Sequence, residues 1–301
     1  MTRILSLLIV LCFSSGLHAK DFHLDDSYSL FGGGSVSLKE VIGKKPVYLK
    51  FWASWCLDCR RELPSLEQAY RTYGEEIAMF AVNLNINETE ETISRLWQQH
   101  KMTIPIVMDN NGSITSNFAF KGTPYHVLIN AQGEVVYTTY KDDAQLQEKL
   151  AALSGNGVAL PQAGASSART QQSVDANAAV SLIYFSATWC DWYMKEIHPD
   201  MAKNCISSLK VVETLHRHQP EKVLQAFVTH LWTEDKDVAE YVRKFSISYP
   251  VNIDRNNEQF RHFEATGYPT LLVLKDGQEV GRFTDFDQPE KIIADVKEML
   301  K

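Results

Sequence analysis

Two cysteines, Cys56 and Cys59, stand three residues apart directly after a run of apolar and aromatic residues. In thiol–disulfide exchange one thiolate attacks a disulfide, and a second thiol releases the mixed disulfide that forms. Residues at this spacing lie on the same face of a helix, so the second thiol can close the disulfide. Trp55 precedes the first cysteine, and a Cys-x-x-Cys where a strand meets a helix is typical of redox sites. The pattern therefore predicts a redox-active dithiol.

The two cysteines have two other interpretations, a permanent disulfide and half of a zinc site. A structural zinc site needs two more ligands, and no other Cys or His lies close to the pair in the sequence. At the N-terminus of a helix, a thiolate at Cys56 is favoured by the helix dipole and by free backbone N–H groups. We therefore predict redox chemistry with no metal and with no cofactor beyond the redox-active disulfide itself.

The apolar run at 47–52 predicts the buried strand that leads into this site. After it, apolar residues at helical spacing predict a helix over 60–73, which Pro64 should kink. Further patterns predict strands at 77–84, 125–129 and 134–140 and helices at 90–100 and 143–153. Strands that alternate with helices and then form a hairpin indicate a three-layer α/β domain.

Four motifs follow one another in this half of the chain: Phe51-Trp52-Ala53-Ser54-Trp55-Cys56, Arg61-Glu62-Leu63-Pro64, Pro105 to Asp109, and Gly122-Thr123-Pro124. On these motifs, residues 25–153 resemble the thioredoxin-fold proteins of the TlpA/ResA branch, which are exported thiol-disulfide oxidoreductases. The resemblance implies that Cys56 is the nucleophile and Cys59 the resolving thiol. It also implies a reductase that is fed by a membrane electron donor and serves cytochrome c maturation or copper-site assembly.

The same resemblance suggests roles for residues around the dithiol. Thr123 and Pro124 match the loop that faces the dithiol in that branch, where the proline is cis. The Thr123 backbone could then bind an extended substrate peptide, and an ordinary turn proline is the alternative. Glu88 stands about two residues away from the register of a glutamate in ResA-like proteins, which makes it a candidate general base for Cys59.

Lys50 and Asp58 depart from the family pattern. Six residues before the first cysteine, thioredoxins have a buried Asp and TlpA-like proteins often have an Asn. An inward Lys50 could not relay protons as a carboxylate does. It would favour the thiolate when charged, and desolvation would lower its own pKa. The alternative is that the strand turns Lys50 toward solvent. An exposed Asp58 would disfavour the thiolate only weakly.

The second half of the sequence repeats the first. Phe185-Ser186-Ala187-Thr188-Trp189-Cys190 agrees with the motif that ends at Cys56 in four of six positions. Residues 154–177, which are rich in Ala, Ser, Gly and Gln, indicate a flexible linker. We therefore predict an α/β protein of two thioredoxin-like domains in tandem, at 20–153 and 178–301, each a central β-sheet flanked by helices.

The second domain is degenerate, because Tyr193 stands where the resolving cysteine should be. Cys190 has three interpretations: a reactive monothiol, a vestigial residue, or the partner of Cys205 in a disulfide. In one continuous helix the two cysteines would be about 22 Å apart, far beyond disulfide reach. Pro199 should break that helix, which makes the bridge feasible.

Two further features of the second half bear on binding. Tyr268 and Pro269 predict a second cis-proline loop, which would preserve a surface for docking a peptide. Cys205, His216 and His218 lie in one stretch, which raises metal binding as an interpretation, but histidines on the surface of a helix are the commoner explanation.

The N-terminus predicts export. Arg3, the apolar run at 4–13 and the small residues up to Ala19 form a signal peptide at 1–19. Cys12 follows a bulky leucine and so does not fit a lipoprotein signal, whereas a retained N-terminal membrane anchor is an alternative. The net charge of −7 over 301 residues argues against nucleic-acid binding. Four cysteines after the signal peptide are too few for a disulfide scaffold.

These observations predict a periplasmic thiol-disulfide oxidoreductase whose substrates are exported proteins with cysteines. The second domain would dock substrate or form a homodimer. A disulfide oxidase or isomerase would use the same chemistry. A copper-handling or chaperone protein, with the two thiolates as soft ligands, is the alternative from a different class.

Overall fold

The computed structural model describes residues 22–155, 180–218, 223–255 and 257–300. The predicted signal peptide and residues 156–177 of the predicted linker lie outside the described residues. In the described ranges the chain forms two five-stranded sheets and one small two-stranded sheet.

The first half, residues 22–155, is built around a central strand. Its strands are β1 (Tyr28–Ser29), β2 (Ser35–Val36), β3 (Val47–Trp52), β4 (Ala78–Asn83), β5 (Ile106–Met108), β6 (Tyr125–Ile129) and β7 (Val135–Thr139). Its helices are α1 (Leu38–Val41), α2 (Leu57–Arg61), α3 (Leu63–Tyr73), α4 (Glu90–Gln99) and α5 (Ala144–Ser154). The main sheet has the order β5-β4-β3-β6-β7, in which β3 is parallel to β4 and antiparallel to β6.

The central strand β3 delivers the chain to the two cysteines. All six of its residues are buried, as expected for the middle of a sheet that is flanked by helices. The strand ends at Trp52, and α2 begins after Cys56, which is its N-cap residue. The predicted junction between a buried strand and a cysteine-bearing helix is therefore confirmed.

The prediction of one kinked helix over 60–73 was wrong. The segment contains the end of α2 at Arg61 and a separate helix, α3, which begins at Leu63. Pro64 lies in the first turn of α3. A proline in the first turn removes no helical hydrogen bond, because those N–H groups have no partner within the helix. Pro64 therefore starts a helix and does not kink one.

The second half, residues 180–300, contains an equivalent sheet. Its strands are β8 (Val180–Ser186), β9 (Val223–Thr229), β10 (Val251–Asp254), β11 (Thr270–Lys275) and β12 (Gln278–Phe283). Its helices are α6 (Cys190–Tyr193), α7 (Pro199–His218), α8 (Asp235–Phe245), α9 (Glu258–His262) and α10 (Pro289–Met299). The order β10-β9-β8-β11-β12 is that of the first sheet, strand for strand. The predicted fold class, two thioredoxin-like α/β domains in tandem, is confirmed.

The two halves differ most in the helices that follow their central strands. In the second half α6 ends at Tyr193 and α7 begins at Pro199, so the predicted helix break is present. Helix α7 is 20 residues long, against 11 for α3, and it carries Cys205. Among the helices of the described residues, none is both long and apolar enough to cross a membrane.

Candidate active site

The two cysteines of the first half are joined. Cys56 and Cys59 form a disulfide, with their Cα atoms 5.2 Å apart. The backbone N–H of Cys59 donates a hydrogen bond to the Sγ of Cys56 over 3.1 Å. After reduction the same N–H group would stabilise a thiolate at Cys56, because a hydrogen bond to the charged form lowers the pKa of a thiol. This geometry suits a nucleophile at Cys56 and a resolving thiol at Cys59.

The proline loop lies at the same edge of the sheet as the dithiol. The Thr123–Pro124 peptide bond is cis, as the resemblance implied. Tyr125 on β6 pairs with Phe51 on β3, so Pro124 lies beside the end of the strand from which the dithiol loop departs. The Thr123 hydroxyl is buried and has no hydrogen-bond partner among the described residues.

Lys50 points into the protein, so the alternative that it faces solvent is wrong. Its side chain is fully buried and forms an ion pair with Glu62, which lies one helical turn after Cys59. Lys50 and His126 are directly opposite one another on β3 and β6, with Lys50 Nζ 3.3 Å from His126 Nε2. The imidazole is also 3.4 Å from the Glu62 carboxylate. A cation, a carboxylate and an imidazole therefore meet behind α2.

The protonation states in this cluster follow from burial and from the neighbouring charges. Burial lowers the pKa of Lys50, and the Glu62 carboxylate opposes that shift. Burial alone would raise the pKa of Glu62, but His126 and Lys50 together lower it, so Glu62 is a carboxylate at neutral pH. Burial and the Lys50 charge lower the pKa of His126 to about 4, so its imidazole is neutral there.

Sequence reasoning missed three members of this cluster, Glu62, His126 and Tyr48. Glu62 was noted only as part of a family motif and was given no role. Its position three residues after Cys59, on the same helical face, is a signal that could have identified it. His126 follows the cis-proline by two positions, and only the register of β6 against β3 brings it to Lys50. Tyr48 completes the cluster, with its hydroxyl 2.7 Å from His126 Nδ1.

Glu88 and Asp58 approach the dithiol in different ways. One oxygen of Glu88 accepts a hydrogen bond of 2.6 Å from the backbone N–H of Ser54, two residues before Cys56. Its other oxygen is buried without a hydrogen-bond partner among the described residues. Burial raises the pKa of Glu88. Asp58 is exposed and pairs with Arg61 at 2.7 Å, which weakens its effect on a nearby thiolate.

Comparison with known proteins identifies the first half of the chain. Residues 15–153 match the sequence model of the Redoxin family. This half is therefore similar to the Redoxin family, and we call it the Redoxin half. The thiol-disulfide oxidoreductase ResA of Halalkalibacterium halodurans is 34% identical over 122 residues, which are 40% of this chain and 66% of that protein. The thioredoxin-like protein YneN of Bacillus subtilis is 29% identical over 138 residues, which are 45% of this chain and 78% of that protein.

Other relatives agree with these two. ResA of Bacillus cereus strain ZK is 30% identical over 104 residues, 35% of this chain and 59% of that protein, so the match spans less than two thirds of its length. The crystal structure of StoA from Bacillus subtilis superposes with a TM-score of 0.37 at 25% identity, over 42% of this chain and 94% of that one. The two ResA proteins are thiol-disulfide oxidoreductases by name, and the Redoxin half is similar to them in sequence.

The second half also contains a disulfide. Cys190, the first residue of α6, is bonded to Cys205 on α7, with their Cα atoms 6.2 Å apart. Of the three interpretations of Cys190, the structure contains the bridge, and the free monothiol is wrong. Position 193 holds a tyrosine, so the partner thiol of Cys190 comes from Cys205 on α7 instead. Because Cys205 is bonded in this way, it is not available as a metal ligand with His216 and His218. Within the described ranges no group of three or more His, Cys, Asp or Glu residues is placed to hold a metal ion.

The second half covers the dithiol of the Redoxin half. The rings of Trp55 and Trp189, each the residue before a cysteine, have centroids 5.3 Å apart. The hydroxyl of Tyr193 accepts a hydrogen bond from the backbone N–H of Leu57 over 3.2 Å. In the whole chain Cys56 is 1% exposed and Cys59 is fully buried. In this arrangement no large substrate can reach either sulfur.

The cis-proline loop of each half contacts the other half. The Tyr268–Pro269 bond is cis, as predicted. The Asn87 amide spans the Tyr268 backbone, accepting from its N–H at 2.8 Å and donating to its C=O at 2.7 Å. In the opposite sense, the Trp232 N–H donates to the Lys121 C=O over 2.6 Å, just before the proline loop of the Redoxin half. The two proposed peptide-docking loops are thus occupied by each other's domain.

Proposed function

We propose that the protein is an exported thiol-disulfide oxidoreductase that reduces or exchanges disulfides in other proteins through Cys56 and Cys59. The observation that carries this proposal is the Cys56–Cys59 pair, with Cys56 at the N-cap of α2 and accepting the Cys59 N–H. The cis-proline at the neighbouring strand end supports it, because that loop can bind an extended peptide beside the sulfurs.

The reaction begins with the reduced dithiol. The Cys56 thiolate attacks one sulfur of a substrate disulfide, and the other substrate sulfur leaves as a thiolate. The Cys59 thiolate then attacks the Sγ of Cys56, and the electron pair of the mixed disulfide leaves with the first substrate sulfur. Two electrons pass to the substrate, and the dithiol becomes the disulfide seen in the structure.

We assign Glu88 the role of proton acceptor for Cys59. Its carboxylate lies next to Ser54 in the dithiol loop, and one of its oxygens is free of hydrogen bonds among the described residues. Burial raises the pKa of Glu88 toward neutrality, which suits a general base. Glu62 is less suited, because Lys50 and His126 hold it as a paired carboxylate.

The location and partners belong to the same proposal. The signal peptide at 1–19 would send the protein to the periplasm, either free or held by a retained anchor. A membrane electron donor would reduce the Cys56–Cys59 disulfide after each turnover, and cysteine-containing exported proteins would be the substrates. Because the second half covers the dithiol within one chain, we expect this half to dock the substrate and to control its access to Cys56. The formation of a homodimer is a separate expectation.

Insulin reduction tests the activity. We expect the Cys56→Ser variant to lose activity to the uncatalysed level, because the attacking sulfur is gone. Lys39→Ala, at an exposed position on α1, is the control and should keep the wild-type rate. Activity that survives in Cys56→Ser would refute the dithiol mechanism. The reduction potential of the Cys56/Cys59 pair then separates a reductase from an oxidase or isomerase.

A further inference from the structure

We propose that Cys190 and Cys205 form a second redox-active pair, and that the molecule passes two electrons between this pair and the Cys56/Cys59 dithiol. This inference rests on the proposed function of the first pair. It assigns chemistry to a disulfide that would otherwise only tie α6 to α7.

The second disulfide sits in a copy of the first site. Trp55 precedes Cys56, and its indole N–H donates to the Ile86 C=O over 2.7 Å, in the loop after β4. Trp189 precedes Cys190, and its indole N–H donates to the Leu231 C=O over 2.6 Å, in the loop after β9. The second half has therefore kept the tryptophan anchor that positions the first cysteine of the pair.

The two sites face each other directly. The Trp55 and Trp189 rings are in contact, with centroids 5.3 Å apart. Leu57, the residue after Cys56, donates its N–H to the hydroxyl of Tyr193, one turn after Cys190. Contacts on both sides of Cys56 thus lead to the residues that flank Cys190. A disulfide that served only to hold helices together would need no such position opposite the dithiol.

The substitution of Tyr193 for a resolving cysteine fits this arrangement. A thiol at position 193 would lie in the contact with Leu57, where Tyr193 instead supplies a hydrogen-bond acceptor between the halves. The resolving sulfur comes from Cys205 on α7, which is 2% exposed. The second pair is thus complete, although its two cysteines are separated by 15 residues and not by three.

The exchange balances within the molecule. The Cys56 thiolate attacks the Sγ of Cys190, the Cys190–Cys205 bond breaks, and its electron pair leaves with Cys205 as a thiolate. The Cys59 thiolate then attacks the Sγ of Cys56, and the electron pair of the Cys56–Cys190 bond leaves with Cys190. The first dithiol is oxidised and the second disulfide is reduced, and the two protons released at the first pair equal the two taken up at the second.

Burial favours this internal route while the halves are together. Cys56 and Cys190 are each 1% exposed, and Cys59 is fully buried. While the halves are together, external thiols are therefore hindered from reaching either pair, whereas exchange between the two adjacent sites would have the high effective concentration of an intramolecular reaction. The second pair would hold two reducing equivalents next to the dithiol and return them when the first pair has been oxidised by substrate.

Trapping the mixed disulfide tests the proposal. In the chain that follows the predicted signal peptide, the double variant Cys59→Ser/Cys205→Ser leaves Cys56 and Cys190 as its thiols. After mild oxidation with diamide, non-reducing peptide mapping of the monomer should show the Cys56–Cys190 disulfide as the main product. The matched variant Cys59→Ser/Cys190→Ser leaves Cys56 and Cys205, and we expect at least tenfold less cross-link from it.

A second measurement follows the transfer of electrons to the Cys190–Cys205 pair, which is left intact in both proteins compared. When one equivalent of dithiothreitol is added, differential alkylation should find free thiols at both pairs in the wild type. In the Cys56→Ser variant, reduction of Cys190–Cys205 should be at least tenfold slower. Equal rates in the two proteins, or no Cys56–Cys190 product, would overturn the relay. If insulin reduction by the wild type persists in that case, the proposed function stands and the second disulfide is structural.

Discussion

Lys50 places a buried positive charge behind the dithiol helix, where it is balanced by the Glu62 carboxylate. Removing one member of a buried ion pair leaves the other charge uncompensated, whereas a complete pair is tolerated. His126 adds a neutral imidazole to the pair, because burial and the Lys50 charge lower its pKa to about 4. Where a thioredoxin would have a single buried carboxyl, three ionisable groups are therefore in contact in this protein.

The titration of His126 predicts how stability depends on pH. Its pKa is about 4 in the folded protein, against about 6.5 for an ordinary histidine, so only the unfolded chain binds a proton between these values. Stability is therefore full above pH 6.5, falls as the pH drops toward 4, and loses no more below that. Between pH 7 and pH 5 the loss from this group is about 2 kcal/mol.

Urea unfolding at pH 7 and pH 5 checks this prediction. We expect the His126→Gln variant to lose about 2 kcal/mol less than the wild type on acidification. Burial also lowers the pKa of His230 to about 4, but His230 is present in both proteins and cancels in the comparison. Equal losses in the two proteins would show that His126 does not titrate in this way.

At the scale of elements, the break between α6 and α7 decides what the second disulfide can do. Helix α6 has four residues, and α7 starts anew at Pro199, so α7 can bring Cys205 back to Cys190. A proline within a continuous helix would cost a hydrogen bond, but at the start of a new helix it costs none. Pro64 likewise lies in the first turn of a new helix, α3. In the first half, however, the partner of Cys56 is Cys59 on α2, and α3 supplies no cysteine.

The Cys190–Cys205 bond should stabilise the fold mainly through the unfolded chain. It closes a loop of 15 residues, for which the loss of unfolded-chain entropy is worth about 3 kcal/mol. We therefore expect Cys205→Ser to lower the free energy of unfolding by about 3 kcal/mol in urea. Cys59→Ser opens a loop of only three residues and should lower it by less. A larger effect of Cys59→Ser than of Cys205→Ser would contradict this ranking.

At the scale of the whole molecule, the facing halves determine access to the dithiol. A side chain at Gly122 would overlap the Trp232 ring, so a glycine before Thr123 permits the close contact of the second half with the first proline loop. Trp232 is 48% exposed, and its ring also lies 5.5 Å from the ring of Tyr140 in the first half. Opening of this contact is required before a protein substrate can reach Cys56.

Replacing Trp232 tests this control of access. We expect Trp232→Ala to raise the rate at which iodoacetamide alkylates reduced Cys56 by about tenfold, a change of about 1.4 kcal/mol in the opening equilibrium. Val280→Ala is the control, because Val280 is an exposed apolar residue on β12, 43% accessible to solvent. It should leave the rate unchanged. Equal rates in both variants would mean that the Trp232 contact does not limit access.

The sequence by itself determined what depends on neighbours along the chain. The spacing of Cys56 and Cys59 indicates one helical turn, and the apolar run at 47–52 indicates a buried strand. Both patterns follow from the periods of the helix and the strand. The repeat of the first motif at Cys190 indicated a second domain of the same fold, and the structure has the same sheet order in both halves. These features need no knowledge of how distant segments meet.

Only the tertiary structure decided which distant groups meet. Lys50 reaches His126 because β6 pairs with β3 in one register, and a shift by one residue would turn His126 to the other face. Cys205 reaches Cys190 because α7 folds back after a break, which the sequence allowed but did not require. The covering of Cys56 by Trp189 and Tyr193 depends on the complementary surfaces of two folded domains, and no local pattern encodes that contact.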